Sequence, residues 1–311
     1  MNSELSTTNT WPGQARRIAN GARKRVLDLT IDRNGCYLSQ TLSSADLLAT
    51  LYTKSLDLGP SGGSPIPPEF SGVPGDDGAG YGLGAAYNGP RGPGFDRLLI
   101  SPAHYAVAIY AVLVETGRMA PEALDQFNTD GSTVEMIGAE HSPGFELTTG
   151  SFGQALSQAG GIAMARKLRG EAGRVFVFMS DGELEEGQTW EAVQCLNHYD
   201  LDNVIVCVDV NGMQYDGATE EVMTIEPIPS RVEGFGGVAV TVDGHDVEAI
   251  DSAIQDTVHE GKPLFVLCYT DSARHVPMLN ERKPKLHFVR FRNDRELADA
   301  RATAESWGPA E

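Results

Sequence analysis

The chain has 311 residues, 41% of them apolar and 22% charged, with a formal net charge of −19. That size and composition suit one large α/β domain or two ordinary ones. The negative charge argues against a polyanion-binding surface such as one for nucleic acid, although it leaves room for a local phosphate site built on backbone amides or a cation. No apolar run approaches the ~20 residues that span a bilayer. The N-terminal "MNSELSTTNTWPGQ" lacks the basic and apolar regions of a signal peptide. Cysteines stand at 36, 195, 207 and 268 without a CxxC pair, and Cys207 and Cys268 lie in apolar runs as expected of core thiols. A reducing cytoplasm is the expected setting.

Helical spacing opens the chain at 14–31, through Ile18, Ala22, Val26 and Leu29. "SSADLLATLY" (43–52) predicts a second helix, capped by Ser43 or Ser44, with Asp46 in its first turn. Residues 58–94 are crowded with Gly and Pro and form a long irregular insertion. "DRLLIS" (96–101) reads as a strand and "PAHYAVAIYAVLVETG" as the helix after it. A helix is predicted over 151–168 and another over 184–196. Buried strands are predicted at 174–179, 203–208 and 264–269, with a fourth at 237–242. The last ~20 residues, about 292–311, are charged and read as either a helix or a loose tail. Near-continuous Val/Ile/Phe runs alternating with helices predict an α/β fold: one domain over 1–311, a mostly parallel sheet with helices on both faces.

In such sheets ligands bind beyond the carboxyl ends of the strands. The strand at 174–179 runs into Ser180-Asp181-Gly182, and the strand at 203–208 into "DVNGMQYDG" (209–217). Asp181 and Asn211 are 30 residues apart, the length of one strand–helix–strand unit. On adjacent strands their oxygens converge, and with a following backbone carbonyl they form a hard ligand set for Mg²⁺ or Ca²⁺. A cation there would bridge the protein to a diphosphate and answer the objection raised by the acidic charge. The bland alternative is that Asp181 caps a helix. Glu183 and Glu185 read as a solvated helix N-terminus favoured by the dipole. His245 reads as a turn residue, and His275 as part of a surface loop.

"SDGELEEGQTWEA" followed by "DVNGMQYDG" resembles the thiamine-diphosphate motif of transketolases. "SPAHYAVAIYAVL" resembles that family's Ser-Lys-Gly-His-Ala segment, and "PGFELTTGSFGQALS" its Pro-Gly-Val-Glu-x-Thr-Thr-Gly segment. "VDGHD" (242–246) and "PKLH" (284–287) also have counterparts, so the likeness covers roughly 15–290. The resemblance implies a thiamine-diphosphate-binding fold. It implies that Asp181, Asn211 and the main-chain carbonyl of Met213 hold Mg²⁺, or Ca²⁺ or Mn²⁺ in its place. Ser180, where the family has Gly, and Gly182 would lie against the diphosphate. His104 and His287 match histidines near the diphosphate and thiazolium, Gly150 and Phe152 flank the cofactor rings, and Glu186 matches a subunit contact. Glu186 equally suits the helix dipole.

The chain is about half the length of the family's full-length members. It resembles the N-terminal subunit of a split transketolase, whose separate C-terminal subunit supplies the pyrimidine-binding domain, with two copies of each chain as the expected assembly. The implied reaction moves a two-carbon ketol unit from a ketose or ketose phosphate to an aldose. No nucleic-acid or membrane partner is implied. Tyr37 falls where a substrate-facing histidine is usual, which makes it a candidate catalytic residue beside His104 and His287. The family's Gly-His-Pro histidine is missing, with His141 nearby as a substitute. A sugar different from the ordinary pentose and heptulose phosphates is therefore expected. The alternatives are an α-type component of a thiamine-diphosphate 2-oxoacid dehydrogenase or decarboxylase, and a non-catalytic cofactor-binding subunit.

Overall fold

The computed structural model describes residues 10–72 and 82–308. Helix α1 (Trp11–Arg33) starts a turn earlier than its apolar spacing indicates. The Thr10 side chain accepts from the Gly13 N–H, and Pro12 sits in the first turn, where its missing N–H is harmless. It ends at Asn34, whose φ of 50° is the left-handed stop common at helix ends.

Helix α2 (Leu38–Thr50) corrects the expected cap. Ser43 and Ser44 lie inside the helix; Ser44 donates its hydroxyl to the Gln40 carbonyl, and Ser43 donates its own to Asp209. All thirteen residues of α2 are buried. A helix enclosed on every side has no polar stripe, so the serines looked like a boundary when they are interior groups with partners. Asp46 is likewise interior and pairs with Arg23 of α1. His245 does lie in a turn, and its side chain is buried against the same carboxylate: its Nδ1 lies 2.8 Å from Asp46, and its Nε2 accepts from the Asp271 N–H.

Strands β1 (Arg97–Ile100), β2 (Val175–Ser180), β3 (Val204–Val210), β6 (Val238–Asp243) and β7 (Leu264–Tyr269) form one sheet in the order β1-β2-β3-β7-β6. Every pairing in it is parallel. Strands β4 (Met213–Gln214) and β5 (Gly217–Ala218) make a small antiparallel hairpin. The strands alternate strictly between two cores. Phe176 and Phe178 face one side, with α1, α2, α3 (Ala106–Glu115) and α8 (Val247–Asp256). Val175, Val177 and Met179 face the other, with α4 (Gln154–Arg169), α5 (Gly187–His198) and α7 (Ile228–Gly234). The four-residue helix α6 (Thr219–Val222) follows β5. Each buried Val, Ile or Phe contributes about 1.5–3 kcal/mol, which is why both faces of these strands are apolar.

Helix α4 starts at Gln154 rather than 151 because Gly150 and Gly153 both hold positive φ, of 98° and 81°. The C-terminal segment is helical: α9 (Asp294–Ser306) is capped by the Asn293 side chain and buries Ala300 and Ala304. The Gly/Pro insertion is anchored at both described ends. Arg118 donates to the Gly59 and Tyr87 carbonyls, and Asn88 bonds Tyr52 and the Gly144 carbonyl. Residues 73–81 of the insertion lie outside the described residues. No described helix is long and apolar enough to cross a membrane.

Candidate cofactor site

The loops after β2 and β3 do meet, through the Gly212 backbone rather than the Asn211 side chain. Strands β2 and β3 are neighbours in register, with Ser180 opposite Asp209. The Gly212 N–H, beyond β3, donates to Asp181 Oδ2 beyond β2 at 2.7 Å. Asp181 Oδ1 accepts from the Gly182 N–H. The Asp181 carboxyl is fully buried. Burial, and then the neighbouring Asp209 carboxylate, push its pKa well above the usual carboxylate range, and backbone donors offset this only in part. Among the described residues, the main influences on Asp181 include no cationic side chain. A bound divalent cation would supply the missing charge, and that donor set of oxygens fits one.

Asn211 and Met213 line a cavity of about 300 Å³ at this edge of the sheet. His104, Gly150, Phe152, Ser180, Tyr37 and His287 line the same cavity. Asp181 does not line this cavity; it reaches the loop that carries Asn211 through the Gly212 N–H. Gly182 packs against Gln214, where a Cβ would come within 2.7 Å of the side-chain oxygen. Gly150 donates its N–H to the Ser101 carbonyl, and a Cβ there would stand 3.0 Å from that of Ala103 at a strained φ.

His104 sits in a 3₁₀ turn, Ala103–Tyr105, directly after β1. Tyr37, His104 and His287 form a triangle with ring centroids 5.0–5.4 Å apart. Phe152 is 6.0 Å from His104, and Tyr215 stacks on His287 at 4.5 Å. Burial, then His287, lowers the His104 pKa to about 3. Burial also lowers His287, against the pull of Asp216. Both imidazoles are neutral at physiological pH, able to donate at one nitrogen and accept at the other.

This sets a pH test. Unfolded His104 takes a proton near 6.5, folded His104 only near about 3. Its contribution is therefore full above pH 6.5 and is lost as pH falls, by up to ~1.4 kcal/mol per pH unit. Denaturant titrations between about pH 4 and 7 should show a shallower slope for His104→Gln, by about one proton. An identical slope would mean that His104 protonates freely in the folded chain.

Three sequence readings are revised. Glu183 is not solvated: it is fully buried, accepting from Ser101 Oγ and from the Gly153 N–H. Burial raises its pKa to about 7. Glu185 is partly buried and accepts from Gln214 Nε2 at 3.1 Å. Glu186 is exposed, as a helix-dipole or contact residue would be. His141 does not replace the missing histidine in the main cavity. It stacks on Phe70 at 4.4 Å, bonds Glu135, and lines a separate cavity of about 180 Å³. Tyr105, Gln40 and Tyr215 line the main cavity and were missed. Tyr105 was hidden in an apolar helix signal, Gln40 in a segment without periodicity, and Tyr215 in a turn.

Residues 85–294 match the family described as transketolase, thiamine diphosphate binding domain. The chain belongs to the transketolase family. A transketolase-family protein of Sinorhizobium fredii is 35% identical over 301 residues, 96% of each chain. A 6-deoxy-6-sulfo-D-fructose transketolase subunit of a Clostridium species is 35% identical over 186 residues, 58% of this chain and 68% of that protein. Among solved structures, the transketolase of Campylobacter jejuni superposes with a TM-score of 0.74 at 23% identity, over 94% of this chain. This chain spans only 43% of that one, and the likeness establishes the transketolase fold.

Proposed function

We propose that this chain is the cofactor-diphosphate subunit of a two-chain, thiamine-diphosphate- and Mg²⁺-dependent transketolase. The observation that carries the reading is the Gly212–Asp181 hydrogen bond. It joins the ends of β2 and β3, with Asn211 beside the cavity that His104, Gly150, Phe152 and His287 line. Asp181, Asn211 and the Met213 carbonyl would hold Mg²⁺, with Ca²⁺ or Mn²⁺ able to replace it. Ser180 and Gly182 would lie along the diphosphate, and Gly150 and Phe152 against the rings. Bound thiamine diphosphate supplies the carbanion chemistry of two-carbon ketol transfer between a ketose and an aldose.

The residues of this chain bind, orient and dehydrate. Neutral His104 and His287 can each hold a hydrogen bond to a substrate hydroxyl and pass a proton at a ring nitrogen. Burial raises the pKa of the Tyr37 phenol, so it remains a donor through neutral pH. Phe152, Tyr37 and Tyr215 surround the histidines and exclude water.

The reading includes a partner. A relative is named as a transketolase subunit, and Ile137 and Tyr215 are 49% and 67% exposed, both at the cavity mouth. A separate C-terminal subunit covering that mouth would supply the pyrimidine side of the site, in an assembly of two copies of each chain. Four free cysteines suit a cytoplasmic setting. The donor sugar would differ from the ordinary pentose and heptulose phosphates, because Tyr37 replaces a histidine and His141 serves another cavity.

The test is to mix the purified chain with the candidate C-terminal subunit and follow ketol transfer across a panel of ketoses. Turnover requiring both chains, thiamine diphosphate and Mg²⁺ is expected. Turnover by the single chain would refute the two-chain reading, and xylulose 5-phosphate as the best donor would refute the altered sugar pocket.

A further inference from the structure

Tyr105 falls at the Ala of the Ser-Lys-Gly-His-Ala segment, so the resemblance gives it no role. It is nevertheless buried at the floor of the cavity, 1% exposed. Its ring packs on Phe178 at 5.2 Å and on His104 at 4.9 Å, which fixes where its oxygen sits. That oxygen donates to Asp209 Oδ2 at 2.7 Å and accepts from Asn211 Nδ2 at 3.1 Å. Asn211 Nδ2 also donates to Asp209 Oδ2 at 3.1 Å. Three groups thus close a ring of hydrogen bonds: phenol to carboxylate, amide to carboxylate, amide to phenol.

We infer that Tyr105 is a positioning residue that fixes the amide of Asn211, so that its oxygen rather than its nitrogen faces the cation; the inference rests on the metal reading above. A carboxylate only accepts hydrogen bonds, so the amide nitrogen must face Asp209. Asp209 is fully buried and is held in turn by Ser43 Oγ and Thr270 Oγ1, at 2.6 and 2.5 Å. The phenol gives its hydrogen to Asp209 and so meets Asn211 as an acceptor, which adds a second vote for the same orientation. Asn211 Oδ1 is left on the opposite side, where the Met213 N–H bonds it at 3.0 Å. An amide oxygen has two lone pairs, so one remains for a cation. Without the phenol, one hydrogen of Nδ2 loses its acceptor and the amide gains freedom to turn.

The plain alternative is a core tyrosine that only stabilises the fold. Thr270→Val separates the two ideas, because it removes a donor to Asp209 without touching Tyr105 or Asn211. The probe is Mn²⁺ bound to the full chain in the presence of thiamine diphosphate, read from the resonance of free Mn²⁺. Melting temperatures without metal are measured alongside.

Tyr105→Phe is expected to weaken Mn²⁺ binding about 10- to 100-fold, as outer-shell losses do, while Thr270→Val changes it less than about threefold. Both should lower the metal-free melting temperature comparably. Unchanged Mn²⁺ affinity in Tyr105→Phe, or an equal loss in Thr270→Val, would overturn the positioning role. Failure of the unsubstituted chain to bind Mn²⁺ at all would instead overturn the metal reading, and the inference with it.

Discussion

Asp181→Asn should abolish the response of this chain to Mg²⁺ and thiamine diphosphate while leaving the unliganded fold nearly intact. Asp181 accepts from two backbone N–H groups, those of Gly182 and Gly212. An asparagine can satisfy one of them and turns its NH₂ toward the other, at a cost of about 1–3 kcal/mol. Against that, the substitution removes a buried carboxyl whose charged form is disfavoured by burial and by Asp209. The two effects oppose each other, so the unliganded melting temperature should move little. Metal binding has no such offset. On the proposed function a carboxylate ligand would be lost outright, and the loss should exceed the ~10- to 100-fold typical of outer-shell changes. Calorimetric titration with Mg²⁺ and cofactor, beside thermal melts with and without them, separates the outcomes. A substituted chain that still gains stability from metal and cofactor would remove Asp181 from the metal site.

The largest stability effect is expected at Glu183. Its carboxyl joins Ser101, at the end of β1, to the Gly153 N–H at the start of α4. Its second oxygen, Oε2, is buried without a hydrogen-bond partner. With a pKa raised to about 7, that oxygen is suited to carrying a proton. Glu183→Ala strands two buried donors and opens a hole, at about 2–4 kcal/mol in total. That corresponds to a fall in melting temperature of roughly 5–10 °C. Cofactor affinity should fall with it, because Gly150 and Phe152 ride on the loosened loop. Glu183→Gln keeps an acceptor for both donors and should melt within ~1 kcal/mol of the parent. Equal melting of the alanine and glutamine forms would show that this carboxyl does not hold the loop.

The strands were legible because residues such as Val175–Met179 are apolar on both faces, a pattern few other structures impose. The pairing of Asp181 with the loop of Asn211 was legible for a related reason: one strand–helix–strand unit has a characteristic length. Helix α2 was not, since enclosure erases the periodicity that marks a helix start. Glu183 was misread because a run of glutamates looks solvated. Nothing local shows that the first of them turns under the sheet edge toward Ser101, 82 residues earlier. Tyr105 was missed because a buried tyrosine amid apolar residues is ordinary until its hydroxyl partner is known.

Cys36 pairs with Val289 as a two-residue bridge, Ser39 donates to the Leu286 carbonyl, and Gln40 to that of His287. The position of His287 is thereby set from the opposite end of the chain. The site is therefore complete only once residues 286–289 have folded back against the start of α2. Trimming behind the last strand would remove more than an appendage. It would take away a cavity wall and leave polar groups of a fully enclosed helix facing nothing.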